Sequence, residues 1–347
     1  MTPSLNTLGW TQFFTSQLTT EEFETLIPVR IAEVRRRSLI ALTDEETRIE
    51  LALTGEHVAS DFAVGDFALT DGEKVARRLD RRSLISRKAA GLTSDTQLIA
   101  ANIDTLFITT SCNADMNEAR LERYLAIAIE AGIIPVVVIT KADKPEDMSA
   151  DIYVERAKAL YADAEVLAIN AKDPTDIARL EPYCGTGQSV ALVGSSGVGK
   201  STIARALTGH DIAVGDIRDD DAKGRHTTTA RSMYQMHAGG WLVDTPGMRE
   251  LALHDASDGI DALFADITEM ATGCKFSDCQ HETEPGCLIL AAIDAGELDA
   301  DRLERWRKLK DEDQRNSESV AESRSRGRKF SKMVKSAMKA KRGRRGQ

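Results

Sequence analysis

Short segments in which hydrophobic and polar residues alternate fill residues 28–95. Alternation with a period of two is typical of half-buried β-strands, and the turn-forming pairs Thr43-Asp44 and Asp71-Gly72 separate the segments. Four or five short strands in about 60 residues predict a small barrel, and the OB-fold is the commonest such module on RNA. The alternative is a generic barrel with solvated arginines. The predicted strands are residues 29–34, 38–42, 48–53 and 66–69.

The pattern changes over residues 96–252, where buried strands alternate with helices. Such alternation predicts a parallel α/β sheet with helices on both faces. The stretch Asp173–Gln188 contains two prolines and two glycines and is expected to be an exposed linker. The predicted strands are residues 103–111, 133–139, 164–169, 190–193 and 240–244, and the predicted helices are residues 120–131, 151–161 and 200–209.

The two ends of the chain differ from these regions. Residues 1–27 form a polar extension with scattered aromatics, expected to pack as a short helix on the domains that follow. A helical pattern covers residues 253–315 and is broken at 273–287 by cysteines and a histidine, and residues 316–347 form a basic tail. The predicted fold class is therefore multidomain: an N-terminal OB-fold β-barrel (28–95), a central α/β domain (96–252) and a C-terminal helical zinc-binding domain (253–315).

The net charge of −10 conceals an asymmetry. Residues 324–347 hold 11 lysines and arginines and no acidic residue, whereas the other 323 residues hold 34 basic and 55 acidic ones. An acidic body with a basic tail indicates a polyanionic partner, or else a tail that is only solvated. Arginine clusters add positive charge to the barrel region: Arg35-Arg36-Arg37, Arg77-Arg78 and Arg81-Arg82.

No apolar run approaches the roughly 20 residues of a membrane span, and the N-terminus lacks the basic-then-apolar order of a signal peptide. The sequence therefore predicts a cytoplasmic protein without membrane contact. In that reducing compartment, clustered cysteines indicate a metal site rather than disulfides. Three thiolates and an imidazole within 14 residues match a closed tetrahedral site for one structural Zn²⁺. Its predicted ligands are Cys274, Cys279, His281 and Cys287.

A strand, a glycine-rich turn and a helix follow one another over residues 189–209. The turn matches G-x-x-x-x-G-K-[ST] at every fixed position, and its glycines allow successive backbone N–H groups to face phosphate oxygens. Lys200 is expected to reach the β- and γ-phosphates, and the Ser201 hydroxyl to bind Mg²⁺. A nucleoside triphosphate is therefore the predicted ligand. Its predicted contacts here are Gly194, Ser195, Ser196, Gly197, Val198, Gly199, Lys200, Ser201 and Thr202.

The motif Thr140-Lys141-Ala142-Asp143 after a buried strand predicts selection of guanine. The Asp143 carboxylate is expected to accept the N1 and N2 hydrogens of guanine, which adenine cannot supply, while the Lys141 stem lies across the base. After the next strand, Asn170-Ala171-Lys172 is expected to present the Ala171 N–H to the guanine O6. The usual motifs are N-K-x-D and S-A-K. Thr140 therefore lacks the amide that ordinarily ties this loop to the phosphate loop.

Asp244-Thr245-Pro246-Gly247 ends a later strand. After a phosphate loop, this motif predicts that Asp244 holds the Mg²⁺ shell and that the Gly247 N–H approaches the γ-phosphate. Either Thr228 or Thr229 is expected to complete the Mg²⁺ shell. Met248 stands where a water-orienting glutamine is often found, so His226 is the candidate catalytic residue, its alternative being a plain surface histidine.

The base-recognition motifs precede the phosphate loop, and the two switch segments follow it. This order predicts a circularly permuted P-loop GTPase, in which residues 173–188 join the original termini. With its flanking barrel and Cys-x₄-Cys-x-His-x₅-Cys segment, the chain resembles the ribosome small-subunit-dependent GTPases, the RsgA or YjeQ family. The resemblance runs from about residue 28 to the C-terminus and includes Arg82-Ser83, residues 87–91, Gly224–Thr229 and the tail.

The resemblance implies a Mg²⁺-dependent GTPase that acts in late maturation of the small ribosomal subunit. It implies binding to rRNA through the barrel and the zinc domain, and release upon GTP hydrolysis. A switch histidine like His226 and a hydrophobic residue after D-T-P-G, as Met248 is, also belong to the family pattern. The expected state is a monomer. The alternative is a nucleotide-gated RNA-binding scaffold that acts on another RNA and hydrolyses GTP only incidentally.

Overall fold

The computed structural model describes residues 3–44, 47–54, 57–88, 96–210, 212, 232–244, 251 and 253–317. Within them, one 11-stranded sheet runs through two domains, and helices pack at both ends of the chain. The predictions for His226, Thr228, Thr229 and Gly247 lie outside the described residues, as do those for residues 318–347.

Five strands form the barrel. Strand β1 pairs antiparallel with β2 and β4, β2 pairs with β3, and β4 pairs with β5. The barrel closes between β3 and the start of β5, where the Ala52 N–H donates to the Glu73 carbonyl over 2.9 Å. This pairing is that of the predicted OB-fold. The strands are β1 (Ile27–Val34), β2 (Ser38–Leu42), β3 (Arg48–Ala52), β4 (Phe67–Thr70) and β5 (Val75–Arg78).

A hairpin leads from the barrel to the central domain. Its strands β6 (Leu84–Lys88) and β7 (Thr96–Ala101) pair antiparallel as a separate two-stranded sheet. Asn102, which follows β7, is buried, and its side chain accepts from the Arg82 N–H and donates to the Gly65 carbonyl. The hairpin is thereby held against the barrel.

The central sheet has the strand order β10-β9-β8-β11-β13-β12. The first five strands are parallel, and β12 is antiparallel to β13. Strand β11, which leads into the phosphate loop, is the fourth of these six strands along the chain and lies between β8 and β13 in the sheet. The strands are β8 (Thr105–Ser111), β9 (Ile134–Thr140), β10 (Glu165–Ala168), β11 (Ser189–Val193), β12 (Ser232–Gln235) and β13 (Trp241–Asp244), with helices α4 (Glu118–Glu130), α5 (Ala150–Lys158), α6 (Pro174–Ala178) and α7 (Lys200–Thr208).

The barrel and the central domain share one sheet. Strand β1 pairs with β12 at Glu33 and Ser232, and Arg48 of β3 donates from Nη2 to the Met233 carbonyl over 3.2 Å. The barrel therefore lies along the outer edge of β12, the last strand of the central sheet.

The N-terminal extension forms three short helices rather than one. Trp10 and Phe14 are buried against Phe67 of the barrel, with ring centroids 5.2 and 4.3 Å from the Phe67 ring. The Thr7 carbonyl accepts a 2.7 Å hydrogen bond from the indole of Trp241. The extension therefore spans both domains. The helices are α1 (Pro3–Thr7), α2 (Gln12–Thr15) and α3 (Thr20–Thr25).

The expectation of an exposed linker over residues 173–188 is only partly right, because most of its residues are exposed but the segment is structured and anchored to the core. Asp173 caps α6 by accepting from the Thr175 N–H, and Ile177, Leu180 and Cys184 are buried in a core with β11. Only Ile177 lies in α6; Leu180 and Cys184 flank a separate 3₁₀ turn at Glu181–Tyr183. Burial raises the pKa of the Cys184 thiol to about 12.

Four helices form the C-terminal domain, and α8 crosses α4 in backbone contact. A Cβ at Gly259 would lie 2.2 Å from the Ala126 carbonyl oxygen, so only glycine permits this crossing. Helix α11 also docks on α4 through ion pairs, with Arg305 2.9 Å from the buried Glu122 and Arg123 2.7 Å from Glu312. The helices are α8 (Ser257–Leu263), α9 (Ala265–Thr272), α10 (Leu288–Asp294) and α11 (Ala300–Ser317).

Among the helices of the described ranges, none combines the length and the apolar content that crossing a membrane requires.

Candidate nucleotide site and candidate metal centre

The phosphate loop connects β11 to α7. Gly194 has φ 138°, and a Cβ there would lie 2.1 Å from the Thr109 carbonyl oxygen of β8. Gly197 and Gly199 have φ values of 79° and 98°, and Gly199 is the N-cap of α7. These conformations favour glycine, which explains the spacing of the motif.

Lys200 folds back over this loop and is 4% exposed. Its Nζ donates to the Gly194 carbonyl over 2.9 Å and also to the Ser195 carbonyl. The ammonium group is thus held beside the loop, while Ser196 and Gly197 are exposed and Val198 is buried beneath them. Ser201 and Thr202 follow in the first turn of α7 and are half-buried.

The first base-recognition loop begins where β9 ends at the buried Thr140. Lys141 has a positive φ of 58°, the Ala142 N–H donates to the Ile169 carbonyl over 3.2 Å, and Asp143 is exposed. The loop is therefore tied to the neighbouring strand, with the Asp143 carboxylate open to solvent.

Thr140 replaces the missing asparagine amide. Its hydroxyl lies 2.5 Å from the Val198 carbonyl of the phosphate loop and 3.1 Å from the Thr110 carbonyl. One hydroxyl has one hydrogen to donate, so these two carbonyls share it. The tie between the base loop and the phosphate loop, which the sequence suggested was lost, is present.

The second base loop follows β10. The Asn170 side chain accepts from the Lys172 N–H over 3.0 Å, and Asp176 of α6 accepts from the Asn170 N–H over 2.7 Å. Asn170 therefore builds the turn that the usual serine would build with its hydroxyl. Ala171 is buried and Lys172 is exposed at its side.

Asp244 ends β13, the strand next to β11 in the sheet. Parallel strands end at the same edge, so Asp244 lies on the side of the sheet where the phosphate loop begins. It is half-buried and stands opposite Ser232 in the pairing with β12.

An arginine and an aspartate at this site have no local sequence signal and were not predicted. Arg120, in the first turn of α4, donates from Nη1 to the Ser195 hydroxyl and, over 2.9 Å, to Asp115. The three residues come from the loop after β8, from α4 and from the phosphate loop. Only the fold brings them together.

The four predicted zinc ligands converge. The Cys274 and Cys287 sulfurs are 3.9 Å apart, and the His281 Nδ1 lies 3.6 and 3.4 Å from them. All four ligand atoms, including that of Cys279, lie within 4.8 Å of one another. Tetrahedral Zn²⁺, with bonds of about 2.3 Å to sulfur and about 2.1 Å to nitrogen, needs edges of about 3.6–3.8 Å. The donor set fits zinc, and the separations among Cys274, His281 and Cys287 lie near these edges.

Two side chains outside the ligand set support this loop. The Glu284 carboxylate accepts from the backbone N–H groups of Gln280, Glu282 and Thr283 at 2.8–3.0 Å, and these bonds hold its pKa at about 2. Arg307 of α11 donates to the carbonyls of Gln280 and His281. The cluster is thereby fastened to the C-terminal helix.

Comparison with known proteins gives concordant results. The RsgA GTPase family model matches residues 78–254. A small ribosomal subunit biogenesis GTPase RsgA from Mesorhizobium japonicum is 50% identical over 321 residues, covering 91% of each chain. Another, RsgA 2 from Vibrio vulnificus, is 46% identical over 334 residues, covering 96% of this chain and 94% of the relative.

Among solved structures, YjeQ from Thermotoga maritima matches with a TM-score of 0.60 at 22% identity. The match covers 82% of this chain and 97% of that one, which shows a common fold. With the family model, the curated relatives and the fold in agreement, this chain belongs to the RsgA family of GTPases.

Proposed function

We propose that this chain hydrolyses GTP as an assembly factor in late maturation of the small ribosomal subunit. The names of its relatives describe them as small ribosomal subunit biogenesis GTPases. The observation that carries the proposal is the convergence of the phosphate loop and the base loop, which the Thr140 hydroxyl joins at the Val198 carbonyl. A triphosphate and a base could then be held by one connected surface.

In this proposal the loop from Gly194 to Thr202 cradles the phosphates. Lys200 exchanges its carbonyl partners for the β- and γ-phosphates, and the Ser201 hydroxyl and Asp244 hold Mg²⁺. Thr228 or Thr229 completes the metal shell, the Gly247 N–H meets the γ-phosphate, and His226 orients the attacking water. Phosphoryl transfer demands mainly positioning and charge stabilisation, which these groups supply.

Guanine is proposed to bind between the two base loops. Asp143 is exposed and free to accept the N1 and N2 hydrogens, and Lys141 and Ala142 flank it. Ala171 and Lys172 form the opposite side, with Ala171 offering its N–H to O6. The positive φ of Lys141 turns the chain at this point, which supports a base-clasping loop.

The barrel is the proposed rRNA contact. Three arginines of this region are neutralised by ion pairs within the protein: Arg77 with Glu22, Arg81 with Asp66 and Arg82 with Asp104. Arg36 and Arg37 are exposed and, among the described residues, have no ion-pair partner. A groove of about 260 Å³ lies beside Arg36 and is lined also by Ser60 and Gln97.

The Cys₃His cluster is proposed to bind one structural Zn²⁺. With all four positions taken by protein ligands, it has no open site for catalysis, and it would stabilise the loop over residues 273–287. The zinc domain and the basic tail are proposed as further rRNA contacts. The protein is proposed to act in the cytoplasm as a monomer.

The test is GTP hydrolysis by the purified chain alone, with isolated small subunits, and with large subunits or bulk RNA as controls. We expect a large stimulation by small subunits only, and its loss in Lys200→Ala. Equal stimulation by all three additions would instead favour a nucleotide-gated scaffold for another RNA. Absence of GTP binding would refute both.

A further inference from the structure

Among the described residues, Arg120 is a charged residue that contacts the phosphate loop and that the proposed function leaves unused. Its guanidinium donates to the Ser195 hydroxyl, and its side chain is 32% exposed. Ser195 itself also offers its backbone carbonyl to Lys200. One residue of the loop is thus held from two sides by two different cations.

The orientation of Arg120 is fixed by its surroundings. Its backbone N–H donates to the Asn117 side chain, which caps α4, over 2.9 Å. Its Nη1 donates to Asp115 over 2.9 Å, and Asp115 is itself fastened through its own N–H to the Asn113 side chain over 3.0 Å. Backbone and side chain are therefore both restrained, as a preorganised group requires.

We propose that Arg120 is a positioning residue that holds the phosphate loop in its nucleotide-binding shape through Ser195. This inference rests on the proposed GTP site. When phosphates draw the Lys200 ammonium away from the loop carbonyls, the bond from Arg120 keeps Ser195 in place. A charge-assisted hydrogen bond is stronger than a neutral one, and here it acts on the residue that follows Gly194 at the start of the loop.

The same helix links the loop to the C-terminal domain. Arg123, one turn after Arg120, pairs with Glu312 of α11, and the buried Glu122 pairs with Arg305. Helix α4 therefore carries the phosphate-loop contact at its start and the α11 contacts along its length.

The test is the affinity of the full chain for a fluorescent GDP and a fluorescent non-hydrolysable GTP analogue. We expect Arg120→Ala to lower the affinities for GDP and for the GTP analogue by a similar factor, on the order of tenfold or more. At saturating GTP, kcat should change by less than about threefold, because a positioning role affects binding of ground state and transition state alike. Arg123→Ala is the matched control. It removes the same side chain, equally exposed at 32% and also ion-paired, and should leave both affinities unchanged.

Ser195→Ala separates this role from a general effect on folding. It removes only the acceptor hydroxyl and should weaken both nucleotides, and adding it to Arg120→Ala should cause little further loss. If Arg120→Ala fails to fold, Ser195→Ala alone decides. Wild-type affinity in both variants, or a fall in kcat with affinity intact, would overturn the inference. A wild-type chain that binds neither nucleotide would instead refute the proposed function on which it rests.

Discussion

Arg30 of the barrel and Ser189 of the central domain are joined by a 2.7 Å hydrogen bond from the guanidinium Nη2 to the serine hydroxyl. Ser189 is the first residue of β11, the strand that ends at the phosphate loop. Arg30 also donates to the Leu8 carbonyl over 2.5 Å and to the Asn102 carbonyl over 3.2 Å. One cation therefore connects the extension, the barrel, the hairpin and the central sheet.

Replacing this cation is expected to destabilise the whole chain. Arg30 is 1% exposed, and burial lowers its pKa to about 10, so it is still charged at neutral pH. Arg30→Met would leave several buried acceptors unpaired and should lower the free energy of unfolding by about 3 kcal/mol. Urea denaturation followed by circular dichroism measures this. The exposed Arg37→Met should change it by less than about 0.5 kcal/mol, and equal effects of the two would contradict the prediction.

Thr140→Ala should weaken nucleotide binding while the chain still folds. The substitution removes the hydroxyl that reaches the Val198 carbonyl and so unties the base loop from the phosphate loop. A loss of about 1 kcal/mol, or roughly fivefold in GDP affinity, is expected for one neutral hydrogen bond. Isothermal calorimetry measures it.

Thr208→Ala is the control for this experiment. It removes another buried threonine hydroxyl, which bonds to the Ala204 carbonyl within α7 and touches neither base loop. This variant should lose stability without losing GDP affinity. An unaltered GDP affinity in Thr140→Ala would show that the hydroxyl does not organise the site.

Removal of a zinc ligand should unfold the metal loop and spare the nucleotide site. Cys279→Ser is expected to abolish binding of a single Zn²⁺ per chain and to increase hydrogen exchange over residues 273–287, because the loop lacks a sufficient core of its own. Cys184→Ser is the matched control, since Cys184 is buried elsewhere. Metal analysis that finds zinc retained in Cys279→Ser would refute the assigned ligand set.

The contact between the extension and the barrel should resist acid. The hydrogen bonds from Arg77 and from the Thr19 N–H lower the pKa of Glu22 from 4.5 to about 2. Because the folded-state pKa is the lower one, the stabilisation is complete above about pH 4.5 and is lost as the pH falls toward 2. NMR titration of the Glu22 carboxyl checks this. In Arg77→Met the midpoint should move up toward 4.5, and an unmoved midpoint would exclude Arg77 as the main cause.

Local sequence patterns predict many of the strands and the ligands of the metal cluster. The alternation in residues 28–95 predicts β1 to β4 of the barrel but does not locate β5 or β6. The Cys-x₄-Cys-x-His-x₅-Cys spacing predicts a cluster that the structure brings together. Such features depend on neighbours a few positions apart. Side-chain contacts across the chain have no such signature. The sequence predicts that Arg77 and Arg82 add positive charge to the barrel, but it does not reveal their partners Glu22 and Asp104, which lie 55 and 22 residues away.

Two contacts of the nucleotide site are also long-range in sequence and therefore have no local sequence signal. Nothing near Arg120 in sequence points to Ser195, which is 75 residues later. Thr140 lacks the amide of the usual motif, but its hydroxyl makes an equivalent bond, and only the distance to the Val198 carbonyl reveals it. Sequence patterns predict the type of an element well, whereas the pairing of distant elements emerges only from the three-dimensional structure.

The pairing of β1 with β12 matters for experiments on isolated domains. A central domain expressed without its barrel would expose the edge of β12, with its unpaired N–H and C=O groups, to other chains. Such a fragment should self-associate edge to edge and lose solubility before its nucleotide site could be assayed. In the full chain, the barrel covers this edge at the pairing of Glu33 with Ser232.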